Sequence, residues 1–193
     1  GAHILSGAIL EPRALNELLP NWKDMNPPNM SKVVKEDFLF LGSKSSFKLP
    51  NLFLPKTFKN DGNYIISLAN LCRWLSEEAA KLEIEIYPGF PATEIIYDDE
   101  NRVKGVATGD MGIDKNGNKT SSYEPGIELI AKYTLFAEGC RGHLGKKIIK
   151  KYDLAKNCMP QSYAIGLKEI WEIPEENHSE GSVLHSAGWP LKN

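Results

Sequence analysis

Residues 133–147 read YTLFAEGCRGHLGKK. The first five are almost wholly apolar, which predicts a strand buried on both faces. Glycines follow at 139, 142 and 145, and the chain then turns helical and basic. Strand, glycine turn and helix in that order point to an α/β unit whose backbone can approach a ligand closely. The N-terminus of such a helix would offer unpaired N–H groups and a positive dipole end to phosphate. The spacing is GxxGxxG and not the GxGxxG dinucleotide fingerprint. A turn that only needs tight strand–helix packing is the alternative reading.

Working upstream, 127–139 predicts one or two strands. Residues 110–126 form a Gly/Asn/Ser-rich excursion. Segments 92–97 and 102–108 predict a hairpin closed by Asp98, Asp99, Glu100 and Asn101, an acidic tip best read as solvated. Residues 83–89 predict a short strand ended by Pro-Gly. Over 63–82 an apolar face of Tyr64, Leu68, Leu71, Leu75, Ala79 and Leu82 predicts a helix, with Asn63 as its N-cap. Segments 37–42 and 47–50 predict two strands joined by a turn. At 13–22, Leu15, Leu18, Leu19 and Trp22 form one helical stripe, irregular after Pro20. On pattern alone that stripe is core; a membrane-interface helix is the alternative. Downstream, 162–173 predicts a strand with 182–189 as its antiparallel neighbour. The expected fold is mixed α/β, a domain carrying a β-meander beside a second sheet.

Composition narrows the function. The chain has 193 residues, 41% of them apolar and 25% charged, with a net charge of −2. No basic run suggests nucleic acid, and no stretch nears the roughly 20 apolar residues that span a bilayer. Lys146, Lys147, Lys150 and Lys151 read as a solvated helix face, or as a basic face toward anionic lipid or protein. Cys72, Cys140 and Cys158 are far apart and odd in number, which argues against a disulfide framework. His3, His143, His178 and His185 are equally scattered, so no metal ligand set is predicted. There is no GxSxG, P-loop or HExxH, and no catalytic residue is assigned. With no initiator Met, an apolar start and a strand-like run near its end, the chain reads as a piece of a longer protein.

Several stretches, taken together and in order, resemble one family. They are GAHILSGAILEPRALNELLPNWK (1–23), GNYIISLANLCRWLSEEAAKLEIEIYPGF (62–90), RVKGVATGDMGI (102–113), YTLFAEGCRGHLGK (133–146), YAIGLKEIWEI (163–173) and HSAGWPL (185–191). The sequence resembles the electron transfer flavoprotein–ubiquinone oxidoreductases. The resemblance implies part of a glutathione-reductase-like FAD-binding domain (1–12 and 60–150) and part of a mixed-sheet ubiquinone-binding, membrane-interface domain (13–59 and 151–193).

It further implies FAD, a [4Fe-4S] cluster whose ligands lie outside this chain, and ubiquinone as substrate. Electron transfer flavoprotein is the implied donor, and the implied location is the surface of the mitochondrial or bacterial inner membrane. By the same resemblance Ser6 and Gly7 approach the flavin, and Ala92 passes the adenine end of FAD. Ala137, Glu138, Gly139 and Gly142 form a second cofactor turn, with Glu138 where many relatives have Asp. Leu15, Leu18, Leu19 and Trp22 become a membrane-interface segment, against the core reading. The dinucleotide turn is expected upstream of Gly1, and backbone glycines that contact quinone after Leu191. The FAD and the cluster would carry the electrons, and the chain would set distance and environment. Two other readings are a geranylgeranyl-reductase-type FAD-dependent reductase and a flavin-free interaction module on the same fold.

Overall fold

The computed structural model describes residues 7–190, so Ser6 lies outside the described residues. The chain divides into two compact units, one of residues 1–86 with 165–193 and one of residues 87–164. Among the described residues, several small sheets and three α-helices make a mixed α/β architecture.

The first unit holds two sheets. In one, β5 (Tyr64–Ile66) lies between β1 (Ala8–Leu10) and β2 (Met30–Lys32), antiparallel to both. Tyr-Ile-Ile suits a half-buried strand, so the expected helix at 63–82 begins later, as α2 (Leu68–Lys81). Its N-cap is Ser67, whose hydroxyl accepts from Asn70 N at 3.4 Å. Asn63 instead belongs to the turn before β5, donating to Asn60 Oδ1 while its carbonyl accepts from Val33 N. Helix α2 stops at Lys81, and Glu83, just past its Leu82 cap, has a left-handed φ of 60°. No strand is assigned at 83–89 among the described residues, and the stretch is exposed.

The core of this unit joins α1 (Arg13–Leu18), the 3₁₀ turn Trp22–Asp24, β5 and α2 through Leu15, Trp22, Ile66, Leu71 and Trp74. Both buried indoles are satisfied, Trp22 Nε1 donating to Asn16 Oδ1 at 2.7 Å and Trp74 Nε1 to Met25 O at 3.2 Å. The stripe at 13–22 therefore divides. Leu15 and Trp22 are core, Leu19 packs against it, and Leu18 is 71% exposed.

In the second sheet β3 (Lys35–Leu41) lies between β4 (Ser46–Leu49), antiparallel, and β11 (Ser182–Gly188), parallel. The β3–β4 pair is the one expected at 37–42 and 47–50. The expectation for β11 was wrong in partner and direction: 162–173 forms no strand, and β11 runs parallel to β3. Alternation alone does not say which edge a strand will find. Gly181 and Gly188 bracket this pairing at φ of 71° and 101°; a Cβ would meet Lys32 O at 2.3 Å and Leu41 O at 2.4 Å.

The second unit is built on the expected hairpin, β6 (Ala92–Tyr97) and β7 (Val103–Thr108), with β10 (Glu128–Ile130) on the far edge of β7. At Gly105 the chains approach so closely that a Cβ would lie 2.0 Å from Leu129 O. The polar excursion contains a further hairpin, β8 (Met111–Ile113) and β9 (Lys119–Glu124). Asp110 ties its base, accepting from Gly126 N at 2.8 Å and from the Tyr123 hydroxyl at 3.0 Å. Helix α3 (His143–Lys151) packs on β6. The expected strand at 133–137 is not formed: no ladder partner lies beside it among the described residues, and Leu135 is 94% exposed.

Candidate functional site

A cleft of about 380 Å³ opens in the second unit, between the start of β6, residues 134–138 and the first turn of α3. That is a volume at the small end of ligand sites. Ala92, Val106, Leu135, Phe136, Ala137 and Leu144 give it apolar walls, and Glu138 and His143 stand at its polar edge. Three residues named from sequence, Ala92, Ala137 and Glu138, are thus brought together although β6 and the 134–138 segment are about forty residues apart.

Glu138 has a specific task. Its carboxylate accepts from Leu144 N at 3.3 Å and Gly145 N at 2.6 Å, and lies 3.4 Å from His143 Nδ1. These N–H groups belong to the first turn of α3, the one expected to face phosphate. A negative side chain at a helix N-terminus satisfies orphan donors and the dipole. The positive end of α3 is thus met by the chain's own carboxylate.

The glycine spacing follows from the same fact. Gly139 turns the chain at φ of 73°, and Gly142 N donates to Gly139 O at 3.3 Å. A Cβ at Gly142 would fall 2.3 Å from Glu138 Cβ, and one at Gly145 would fall 3.3 Å from Glu138 Oε2. GxxGxxG is here a cradle for a side chain. The cleft has apolar walls, and the helix end beside it is capped by Glu138.

The remaining candidates lie elsewhere. Gly7, in the first unit, is exposed with φ of 95°, and its carbonyl accepts from Lys168 Nζ at 3.2 Å. At the acidic tip, Asp98 accepts from Glu100 N, Arg102 N and Arg102 Nε. These bonds, led by those to Arg102, hold its carboxyl below the usual range. The tip is thus a turn device. Of the four lysines on α3, Lys147 reaches Thr93 O at 3.4 Å, and Lys151 reaches Asn101 Oδ1 at 3.0 Å and lies over the Tyr97 ring. No group of three or more potential metal ligands occurs among the described residues. No helix among them is long and apolar enough to cross a membrane.

Sequence reading passed over one constellation, in the first unit. Glu36 on β3 accepts from Asn60 N at 3.0 Å and from the Asn60 side chain, and His185 Nε2 lies 3.1 Å from its Oε1. Residues 36, 60 and 185 share no motif, so only the parallel β3–β11 register could have revealed it.

Residues 163–193 match the family model described as ETF-QO, ubiquinone-binding. The electron transfer flavoprotein-ubiquinone oxidoreductase of Pseudomonas aeruginosa is 56% identical over 195 residues, covering 100% of this chain and 35% of the relative. The mitochondrial protein of that name from Dictyostelium discoideum is 48% identical over 100% of this chain and 31% of its own length. The human one is 48% identical over 99% of this chain and 31% of its length. The chain thus spans about a third of the length of the curated relatives it matches. With identity of this level running from one end of the sequence to the other, the chain belongs to the electron transfer flavoprotein–ubiquinone oxidoreductase family.

Proposed function

We propose that this chain forms part of a flavoprotein oxidoreductase that passes electrons from reduced electron transfer flavoprotein, through FAD and a [4Fe-4S] cluster, to ubiquinone at a membrane surface. The observation that carries the reading is the end-to-end similarity to proteins of that name, with the ubiquinone-binding match at 163–193. Residues 1–12 and 60–150 would belong to a glutathione-reductase-like FAD domain with a β-meander, and 13–59 and 151–193 to the quinone and membrane-interface domain. The cluster ligands would lie outside this chain.

The apolar cleft at Ala92, Ala137 and Glu138 suits the adenine end of FAD, with Gly139 and Gly142 holding the turn beside it. Phosphate would then be bound by other parts of the protein, since Glu138 occupies α3. Ser6 and Gly7 would lie along the flavin. The bound FAD would supply the redox chemistry.

Membrane contact is supported by exposed apolar side chains. Leu18 is one; Leu52 and Phe53, 83% and 74% exposed in the 3₁₀ turn after β4, stand near Lys48 and Lys56 in sequence. Leu15 and Trp22 commit their area to the core and support the segment from beneath. An inner membrane, bacterial or mitochondrial, is the location this reading implies. The test is quinone reduction by the full-length protein, supplied with reduced electron transfer flavoprotein and a short-chain ubiquinone. Absence of turnover, with FAD bound, would overturn it.

A further inference from the structure

One face of the β4–β3–β11 sheet changes character along its length. Register places Phe40 between Phe47 and Ala187, and Phe38 between Leu49 and His185. Phe40 and Phe47 are exposed. Moving along β3 the apolar strip reaches His185, whose ring stacks on Phe38 at 6.2 Å and meets the edge of Phe58 at 5.5 Å. The strip ends at Glu36, whose side chain is 13% exposed against 27% for His185.

Glu36 is the charged group in contact with His185 among the described residues. Around it, Lys59 and Asp61 share a cavity of about 290 Å³ with Glu36 and Lys35. Asp37 points to the other face, paired with Lys48 and Lys35. Bonding to Glu36 fixes the tautomer: Nε2–H donates to the carboxylate and leaves Nδ1 without a hydrogen-bond partner among the described residues.

We propose that His185 donates one of the two protons ubiquinone takes up on reduction, with Glu36 as its positioning residue. This rests on the ubiquinone reading above. Two electrons reach the quinone from the reduced cofactors of the full enzyme. As they arrive, the Nδ1–H bond of the imidazolium breaks and an O–H bond forms on the quinone. The neutral Nε2–H tautomer remains, held by Glu36. Water supplies the second proton and later restores the first. An apolar strip leading to a titratable pair matches the two needs of the reaction, an apolar surface for a hydrophobic ring and a source of protons.

The test uses the full-length protein, reduced electron transfer flavoprotein and short-chain ubiquinone between pH 6 and 9. Flavin reduction by the donor is expected to be the same in wild type, His185→Gln and Glu36→Gln. Quinone reduction in wild type should fall as pH rises. It should drop at least tenfold in His185→Gln at neutral pH, with that limb lost. In Glu36→Gln quinone reduction should also fall at least severalfold, because the carboxylate that holds the His185 ring is gone. A His185→Gln protein with wild-type rate and profile would overturn the proposal. Thermal melts identify a variant that has lost its fold. A measurement on wild type then stands in its place: quinone binding should shift the His185 imidazole resonances, and resonances that do not move would overturn it. Wild type that accepts electrons yet reduces no quinone sinks the parent reading, a separate outcome.

Discussion

At the scale of single residues, two carboxylates show how local partners set roles. Burial pushes the Glu36 carboxyl up, but the Asn60 N–H groups and His185 outweigh it and hold it below its ordinary value of 4.5. A folded-state value lowered in this way gives stability that is fully present above pH 4.5 and is lost as pH falls through the folded value. Glu36→Gln should therefore melt with a flatter pH dependence below pH 4.5 than wild type, as followed by circular dichroism. Glu138 acts through geometry. Glu138→Ala frees the N–H groups of Leu144 and Gly145 and should cost about 1 kcal/mol in chemical denaturation, the usual value of a helix cap. Gly142→Ala should cost at least as much, because the new methyl displaces the same side chain. A Gly142→Ala protein as stable as wild type would refute the cradle. Sequence showed the three glycines and Glu138 but not that one serves the other, because a helix cap supplied from outside the helix leaves no period in the chain.

At the scale of elements, legibility followed locality. The hairpin β6–β7 and the pair β3–β4 could be read because their partners are adjacent in sequence and a turn fixes their register. Helix α2 was read with the wrong start, since Tyr64 and Ile66 satisfy a helical period and a strand alternation equally well over so few residues. β11 was read with the wrong partner, since a parallel neighbour can lie anywhere in the chain. Segment 133–137 has strand composition without a strand ladder. Composition reports how much a segment would gain from burial, and pairing decides whether it gets it. Gly105 belongs here too. Its missing Cβ lets β10 close on β7, so Gly105→Ala should cost about 1–3 kcal/mol by overpacking against a backbone. Amide exchange should then quicken in β10 before it does in β6.

At the scale of the molecule, the two units differ in what they present. The first has a tryptophan-centred core and an exposed apolar edge at Leu52 and Phe53; the second has the small apolar cleft. Replacing Leu52 and Phe53 by Ser should leave the melting temperature within a degree or two, because neither is buried. It should weaken cosedimentation of the full-length protein with anionic vesicles at least severalfold, and unchanged cosedimentation would place the contact elsewhere.

The four tryptophans divide evenly between inside and outside. Trp22 and Trp74 are sealed in the core, whereas Trp171 and Trp189 are open to solvent. Their fluorescence should therefore consist of two populations. Iodide should reach the red-emitting pair and leave the blue-emitting pair untouched. One cuvette would then separate loss of the core from occlusion of the surface: whatever covers the exposed indoles, lipid or protein, would be read by the quencher while the buried pair stays silent.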